Sequence, residues 1–374
     1  MSKQRFLQIH FLTPYSSVLL NRDDSGLAKR IPYGGHLRTR VSSQCLKRHW
    51  RIAKDPHALK TINDADESWR SRNIVGRKVL GDFRETADAS VLDALEKEFN
   101  KVVYGDKGED KKSRQTLLLG NAEIKWLKKE AARLLAEAGN DKKAMLDLVK
   151  QWGEEGRENF KTMRRGVALS GGLVGALFGR MVTSDPEANI TSPVHVAHAF
   201  TVHAEETESD YFVAVDDLAL PDETGADTIQ ETELTAGLFY GYVVVDIPGL
   251  LSNLGGDSKM TSEVLHNLIY LIAEVSPGAK LGSTAPYSRA SMMLLEAGNR
   301  QPRSLAEAFR EPCRPETKKA VEVLMDHLMS LDRAYETNEI RIAMNLTKAS
   351  ITHVNECTLR ELAEWTSRLP GESE

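Results

Sequence analysis

Features that mark several common protein classes are missing from these 374 residues. The three cysteines, Cys45, Cys313 and Cys357, lie far apart and form no CxxC pair. This spacing argues against a disulfide framework or a zinc site and favours reduced thiols. No apolar run reaches the length of a membrane span, and the N-terminus lacks the apolar core of a signal peptide. We therefore expect a cytoplasmic protein that does not contact a membrane.

Short catalytic motifs are missing as well. The glycine-rich segment SGGLVGALFGRM (170–181) is not a P-loop, because no GK[ST] follows it. It either allows close approach of a ligand to the backbone or forms a tightly packed buried segment. The chain also contains no GxSxG, HExxH or dinucleotide fingerprint. We expect a protein that is not an enzyme and that uses no cofactor and no metal.

Positive charge is unevenly distributed. No lysine or arginine occurs from Met181 through Ser258, and acidic residues cluster within that span between Glu205 and Glu223. The first 51 residues contain ten lysines and arginines but two acids, although the net charge of the whole chain is −5. A polyanion site is therefore expected near the N-terminus and not in the middle of the chain.

The hydrophobic pattern predicts an α+β fold with helices on one face of a sheet. Strands are predicted at 4–12 and 237–247, with another among the alternating residues 192–206, followed by an amphipathic helix at 262–275. A polar loop is predicted between the first strand and residue 40, and mostly helix after residue 300. Residues 55–170 show helical spacing and high charge, which indicates a helical insertion.

Residues 22–51 are the best candidate for binding a polyanion. Arg38 and Arg40 alternate, so in an extended segment both face one side. Ser42 or Ser43 is a natural N-cap, and backbone N–H groups at a helix start favour an anion. Lys47 and Arg51 follow at a spacing of four on that helix. The pattern suits a phosphate backbone, and it equally suits a solvated basic helix with a good cap.

Two further groups have weaker chemical interpretations. Adjacent Asp23 and Asp24 could hold a divalent metal for phosphodiester cleavage, but a loop in which they cap a turn or pair with arginine is favoured. His195, His198 and His203 converge poorly on a strand, so ordinary sheet or surface histidines are expected rather than a metal site.

Six blocks in fixed order resemble the CasC family, the backbone (RAMP-type) subunit of the type I-E CRISPR Cascade complex. The first block is the basic segment, and the others follow over the first three quarters of the chain. They are LNRDDSGLAKRIPYGGHLRTRVSSQCLKRHWR (20–51), ALFGRM (176–181), HVAHAFTVH (195–203), DYFVAVDDL (210–218), GLFYGYVVVDI (237–247) and PGAK (277–280).

This resemblance implies a hand-like subunit. Its palm would be an RRM-like (ferredoxin-like) sheet formed by residues 1–54, 171–200 and 237–374, the last with C-terminal helices. Residues 55–170 would be helical fingers, and residues 201–236 a β-hairpin thumb. Copies would assemble head-to-tail as a helical filament along one guide crRNA, kink bases at intervals and support pairing with target DNA. The other partners would be the large, small, CasD-like and CasE-like Cascade subunits.

The resemblance also implies residue roles. Phosphates of the guide would be held by Ser42, Ser43, Gln44 and Lys47, with support from Arg22, Lys29, Arg38, Arg40 and Arg51. Met181 would lie beside guide bases, Tyr211 and Phe212 would form the thumb wedge, and Lys280 would contact phosphate or DNA. His36 departs from relatives that carry lysine there. The acidic thumb, including Glu205 and Glu206, is a candidate to meet the basic segment of the next copy.

Two alternative functions remain open at this point. Related backbone subunits of other CRISPR types cut RNA with an aspartate, so a metal-dependent ribonuclease using Asp23 or Asp24 is one alternative. The other is a free-standing RNA-binding protein without partners, which would bind RNA as a monomer.

Overall fold

The computed structural model describes residues 4–63, 65–139, 141–166, 169, 171–182, 185–214 and 228–371. The predicted α+β class is confirmed, since strands and helices both contribute extensively. The chain divides into two compact units. The first, here called the sheet unit, comprises Met1–Leu59, His195–Ile247 and Ser262–Glu374; the second, the helical unit, comprises Lys60–Val194 and Pro248–Thr261.

Most strands belong to the sheet unit. They are β1 (Phe6–Val18), β2 (Arg30–Tyr33), β3 (His36–Val41), β4 (Ser68–Ser71), β5 (Leu117–Gly120), β6 (Val194–Val196), β7 (Ala199–Thr201), β8 (Thr207–Ala214), β9 (Thr228–Asp246), β10 (Met292–Gly298), β11 (Ile340–Asn345) and β12 (Asn355–Glu356). The helices are α1 (Ser43–Ile52), α2 (Ala89–Tyr104), α3 (Asn121–Ala138), α4 (Lys142–Gly166), α5 (Gly172–Phe178), α6 (Ile247–Asn253), α7 (Ser258–Glu274), α8 (Leu281–Thr284), α9 (Thr317–Tyr335) and α10 (Leu359–Ser367).

The large sheet has the strand order β12-β11-β10-β1-β9-β7-β3-β2, with β6 and β8 also paired to β9. Its described pairs are antiparallel except β11 with β12. The first strand continues beyond the predicted end, through Pro14 to Val18. Its pairing with β10 stops at Leu12, while pairing with β9 continues past Pro14. Proline, which has no N–H to donate, is tolerated where one side of a strand is unpaired.

The predicted loop before residue 40 is wrong for residues 30–41. Strands β2 and β3 form a hairpin there, closed by Gly34 and Gly35 between the paired residues Tyr33 and His36. Both glycines have positive φ, of 61° and 79°, which is the requirement of a two-residue type I′ turn. The segment contains several arginines and little apolar alternation, so its strand character was hidden.

Helix α9 packs on the sheet through a periodic apolar face. Its buried residues recur at three-to-four spacing: Ala320, Val321, Leu324, Met325 and Leu328. They form one core with side chains of the sheet, including Tyr240 and Leu294. The predicted helix at 262–275 is confirmed by α7. The prediction of mostly helix after residue 300 missed strand β11, which has one fully buried residue, Ala343, and the two-residue edge strand β12.

The helical unit contains helices α2, α3 and α4 around its own apolar core, in agreement with the helical spacing of residues 55–170. Phe99 and Trp152 stack in this core with ring centroids 4.4 Å apart. The prediction missed the two-stranded sheet of β4 and β5. The glycine-rich segment becomes the short helix α5, in which five of seven residues are buried. Its interpretation as a tightly packed segment is therefore confirmed for Gly172–Phe178.

A buried ionic network lies within the sheet unit. Glu296 on β10 is fully buried and pairs across the sheet with Arg341 on β11, at 2.6 Å. Arg303 binds both carboxylate oxygens of Glu296, at 2.7 and 2.9 Å. The ring of His10 contacts Glu296 through Nε2 at 3.0 Å and the Tyr240 hydroxyl through Nδ1 at 2.9 Å. Because a carboxylate only accepts, Nε2 carries the proton and Nδ1 accepts from Tyr240.

Candidate nucleic-acid interface

The start of α1 is fixed by a side-chain cap and an apolar face. Ser42 is the N-cap, and its Oγ accepts from the Cys45 N–H at 3.2 Å. The Ser42 N–H in turn donates to Asn21 Oδ1 at 2.9 Å. Leu46 and Trp50 are buried at the predicted spacing of four. The predicted cap and buried face are confirmed, while the contribution of Asn21 left no pattern in the sequence.

Polar and basic side chains of α1 lie around this start. Gln44 is exposed, Lys47 and Arg51 are half-buried, and Ser43 is nearly buried with its hydroxyl donating to Gln44 Oε1 at 3.2 Å. Burial raises the pKa of the Cys45 thiol to about 11, although the nearby charges of Lys29 and Arg48 act in the opposite direction. Lys29, which lies before the β2–β3 hairpin, therefore adds positive charge near the first turn of the helix.

The two arginines of β3 have different surroundings. Arg40 is half-buried and donates from Nε to the Arg30 carbonyl at 3.2 Å. Its Nη1 donates to Nδ1 of exposed His198 at 3.1 Å. Burial and the charges of Arg40 and Lys29 lower the pKa of His198, which keeps this imidazole neutral as an acceptor. No pattern in the sequence places His198 beside the basic segment.

Arg38 is fully buried. Its guanidinium donates to the carbonyls of Thr201, Phe309 and Arg310, at 3.0, 3.0 and 3.2 Å. Contact with a phosphate would require it to leave these carbonyls. The position of Arg38 therefore corrects the expectation of two arginines that both reach a polyanion, and its role in this structure is to hold β3 in place.

Glu205 and Glu233 contact the basic hairpin. Both lie in the segment from Met181 through Ser258, which has no lysine or arginine. Arg30 forms ion pairs with Glu205 and Glu233, and the Ala28 N–H donates to Glu233 Oε2 at 2.6 Å. The side chains of both acids are 11% exposed. Glu205 thus contacts the basic segment of its own chain, and its contact with the next copy stays a prediction. Glu206 remains 61% exposed.

The loop before the hairpin forms the capped turn that was favoured for Asp23. Arg22 and Asp24 are exposed, and Asp23 Oδ1 accepts from the N–H groups of Ser25 and Leu27 at 2.9 and 3.0 Å. Asp23 therefore caps a turn, as expected. Within the described ranges, no three His, Cys, Asp or Glu side chains lie together in a way that suits a metal ion.

His195 on β6 and His203 just after β7 have ordinary structural surroundings. His203 is buried, donates from Nδ1 to the Ala204 carbonyl at 2.7 Å and accepts from the Leu238 N–H at 3.2 Å. His195 is exposed. The interpretation as sheet and surface histidines is confirmed for these two.

Large apolar side chains are exposed at the predicted wedge. Tyr211 and Phe212 on β8 are 62% and 41% exposed. Lys280 donates to Thr232 Oγ1 on β9, and its Nζ lies 5.6 Å from the centroid of the Phe212 ring. Met181, in the helical unit, is 67% exposed. The acidic residues Asp216, Asp217, Asp222 and Glu223 lie outside the described residues, as does much of the predicted thumb.

None of the described helices is both long enough and apolar enough to cross a membrane.

Comparisons with known proteins agree with the resemblance found in the sequence. One similar chain comes from a structure described as "CRISPR RNA-guided surveillance complex, pre-nicking", with a TM-score of 0.79, 24% identity and coverage of 97% of this chain and 100% of that one. Another comes from a "CRISPR RNA-guided surveillance complex", with a TM-score of 0.61, 20% identity and coverage of 97% and 98%. No curated protein gave a significant match. The model of one sequence family, CT1975-like protein, matches residues 7–368, so the chain belongs to this family of CRISPR-associated (Cas) proteins.

Proposed function

We propose that this protein is a non-catalytic backbone subunit of a Cascade-type surveillance complex, which binds the phosphate backbone of a guide crRNA. The observation that carries the proposal is the capped start of α1 with its surrounding donors and cations. Gln44, Lys47 and Arg51 follow the cap on the helix, and Lys29 and Arg40 approach from the hairpin. Membership of a Cas family supports the same assignment.

The chemistry of this surface suits backbone recognition. Lysine, arginine and hydroxyl groups together with helix N–H donors bind phosphate oxygens without reading base edges. In RNA-guided complexes the sequence is read by pairing of the guide, so the protein needs only shape and charge recognition. The proposed direct contacts are Ser42, Ser43, Gln44 and Lys47, supported by Arg22, Lys29, Arg40 and Arg51; Arg38 supports them by anchoring β3.

We extend the proposal to the parts of a hand. The sheet unit would provide the palm, the helices within 55–170 the fingers, and the β8–β9 pair the thumb. The pairing of Thr207–Ala214 with β9 and the exposure of Tyr211 and Phe212 support a wedge that acts by packing and stacking. Met181 would lie beside guide bases, and Lys280 at the base of the thumb would contact phosphate or DNA.

The proposed assembly is a repeat of this subunit along one guide. A subunit that repeats along RNA needs a head-to-tail interface instead of a two-fold one. The partners would be crRNA, target DNA, further copies of the chain and the other Cascade subunits. The similar chains of surveillance complexes support this assembly through their shared fold.

The test is native mass spectrometry of the chain co-expressed with neighbouring Cas proteins and a guide array. We expect several copies on one RNA of defined length. Lys47→Glu should abolish these assemblies, because it places a negative charge beside phosphate. Lys318→Glu, the same charge change at an exposed position of α9, should retain them.

Two outcomes would overturn the proposal. A chain without RNA in every sample would remove guide binding as its function. Magnesium-dependent cleavage of the bound RNA that is lost in Asp23→Ala would instead establish the ribonuclease alternative.

A further inference from the structure

The helical unit contains a cavity of about 430 Å³ that has no part in the proposed guide contacts. Residues of α2, of the turn that follows it and of α4 line this cavity. Four of the lining residues are cations, Lys107, Arg157, Lys161 and Arg164, whereas one described lining residue, Asp185, is an acid. The cavity is therefore distinctly cationic in a chain whose net charge is −5.

The three cations on α4 occupy one face of the helix. Residues 157, 161 and 164 are separated by four and three positions, the spacings that bring helical side chains together. Like charges at these spacings repel each other and destabilise a helix unless an opposite charge compensates them. Lys161 has a weak pairing with the exposed Glu158, at 3.8 Å. An anion in the cavity would reduce the repulsion between Lys161 and Arg164.

Arg164 provides a second, independent observation. Its side chain is 3% exposed, donates from Nε to Glu123 at 2.5 Å and from Nη1 to Asp185 at 3.3 Å. Its guanidinium carbon lies 4.1 Å from the centroid of the Phe160 ring. Its Nη2 is buried and has no hydrogen-bond partner among the described residues. A buried N–H group without a partner is costly and indicates a missing acceptor.

The charge balance around Arg164 shows where the excess positive charge lies. Arg180 also binds Glu123, at 2.9 Å, so two arginines already match the two carboxylates of Glu123 and Asp185. The charges of Lys107 and Lys161, which also line the cavity, are additional to this neutral buried network. An anion bound here would accept from Arg164 Nη2 and attract the two lysines.

We propose that this cavity binds a phosphate-class oxyanion. Arginine matches phosphate oxygens through its planar donors, lysines add charge, and Ser113 and Gln115 on the cavity wall add polar groups. The volume of the cavity exceeds one phosphate and leaves space for an attached nucleoside. The phosphate chemistry is common to free phosphate monoesters and to a phosphodiester of a nucleic acid, and the experiment distinguishes these sources.

The test is isothermal titration of the full chain with inorganic phosphate at low salt. The combined variant Lys107→Gln/Lys161→Gln removes two lining charges and leaves the buried network around Arg164 intact. We expect it to weaken phosphate binding by about tenfold or more, as for the loss of charge-assisted contacts. Lys150→Gln, an exposed lysine of α4 outside the cavity lining, should bind like the wild type. Circular dichroism without phosphate checks that all variants fold alike.

A competition arm identifies the source of the phosphate. A labelled single-stranded oligonucleotide without terminal phosphates is bound first and then challenged with inorganic phosphate. If phosphate displaces the oligonucleotide from the wild type but not from the double variant, the site is assigned to phosphodiesters. If phosphate binds without displacing the oligonucleotide, the site is assigned to a free anion. Equal phosphate binding by the double variant and Lys150→Gln, or none by the wild type, would overturn the proposal.

Discussion

The ammonium group of Lys280 lies over the ring of Phe212, with Nζ 5.6 Å from the ring centroid. The two residues are far apart in sequence, and each was singled out for a separate role in the proposed function. Lys280 also donates to Thr232 Oγ1 on the strand paired with β8. This contact joins the loop before α8 to the proposed wedge, so that a charged and an aromatic group form one surface.

A double-mutant cycle measures this contact. We expect Lys280→Ala and Phe212→Ala to be coupled by about 0.5–1 kcal/mol in the free energy of unfolding, the range of an exposed cation–π pair. Tyr211 is the control, because neighbouring residues of a strand point to opposite faces. Its coupling to Lys280 should stay within about 0.3 kcal/mol. Equal coupling of both aromatic residues to Lys280 would contradict the observed contact.

Substitutions of Ser42 separate capping from phosphate binding. Ser42→Ala should lower the free energy of unfolding by about 1 kcal/mol, because the Cys45 N–H loses its acceptor. Ser42→Asp keeps an N-cap acceptor, yet it should lower the affinity for guide RNA by about tenfold through repulsion of phosphate. Chemical denaturation and fluorescence anisotropy measure the two effects. Wild-type RNA affinity in Ser42→Asp would show that no phosphate binds at this helix start.

Arg38 should be more important for stability than an exposed arginine. Arg38→Ala leaves three carbonyls without their donor, so we expect a loss of about 2–4 kcal/mol in the free energy of unfolding. Arg38→Lys should restore little, because an ammonium group cannot bridge carbonyls as the planar guanidinium does. Arg310→Ala is the control, since its pair with Glu307 is exposed and screened by water, and its loss should change stability little. Similar losses in Arg38→Ala and Arg310→Ala would contradict a structural role for Arg38.

Acid should destabilise the sheet unit through Glu296 and His10. Burial alone would raise the pKa of Glu296, but hydrogen bonds from His10 and Arg303 hold it well below its usual range. Burial lowers the pKa of His10. In both cases the unfolded chain gains a proton before the folded chain does. Stability is therefore lost as pH falls below about 6.5 for His10 and below about 4.3 for Glu296.

Urea denaturation across pH 4–8 tests whether the free energy of unfolding falls as pH falls. His10→Gln should remove a slope of up to about 1.4 kcal/mol per pH unit just below pH 6.5, the contribution of one proton. His36→Gln, at an exposed position, should leave the slope unchanged. Stability that rises on acidification below pH 6.5 would contradict a neutral buried His10.

Local patterns in the sequence predicted the elements whose own residues carry the signal. The α1 cap, the α7 and α9 helices and the apolar part of β9 from Gly237 onward depend on residues near each other, so spacing and capping rules apply. The β2–β3 hairpin was missed, because its strands contain polar and charged residues and are stabilised by distant groups. One such group is the Arg310 carbonyl, which accepts from Arg38 Nη2 at 3.2 Å.

By itself, the sequence determined the fold class, the family and the segment that carries the basic surface. These depend on periodicity, charge distribution and the order of short blocks along the chain. The tertiary structure alone decided which cations remain available for a polyanion. Arg38 is occupied by carbonyls from two distant segments, and Arg30 is occupied by Glu205 and Glu233. Lys280 contacts the ring of Phe212, which carries no opposite charge. The partners of a charged side chain are set by groups that folding brings within a few ångströms, and the spacing of residues along the chain does not contain that information.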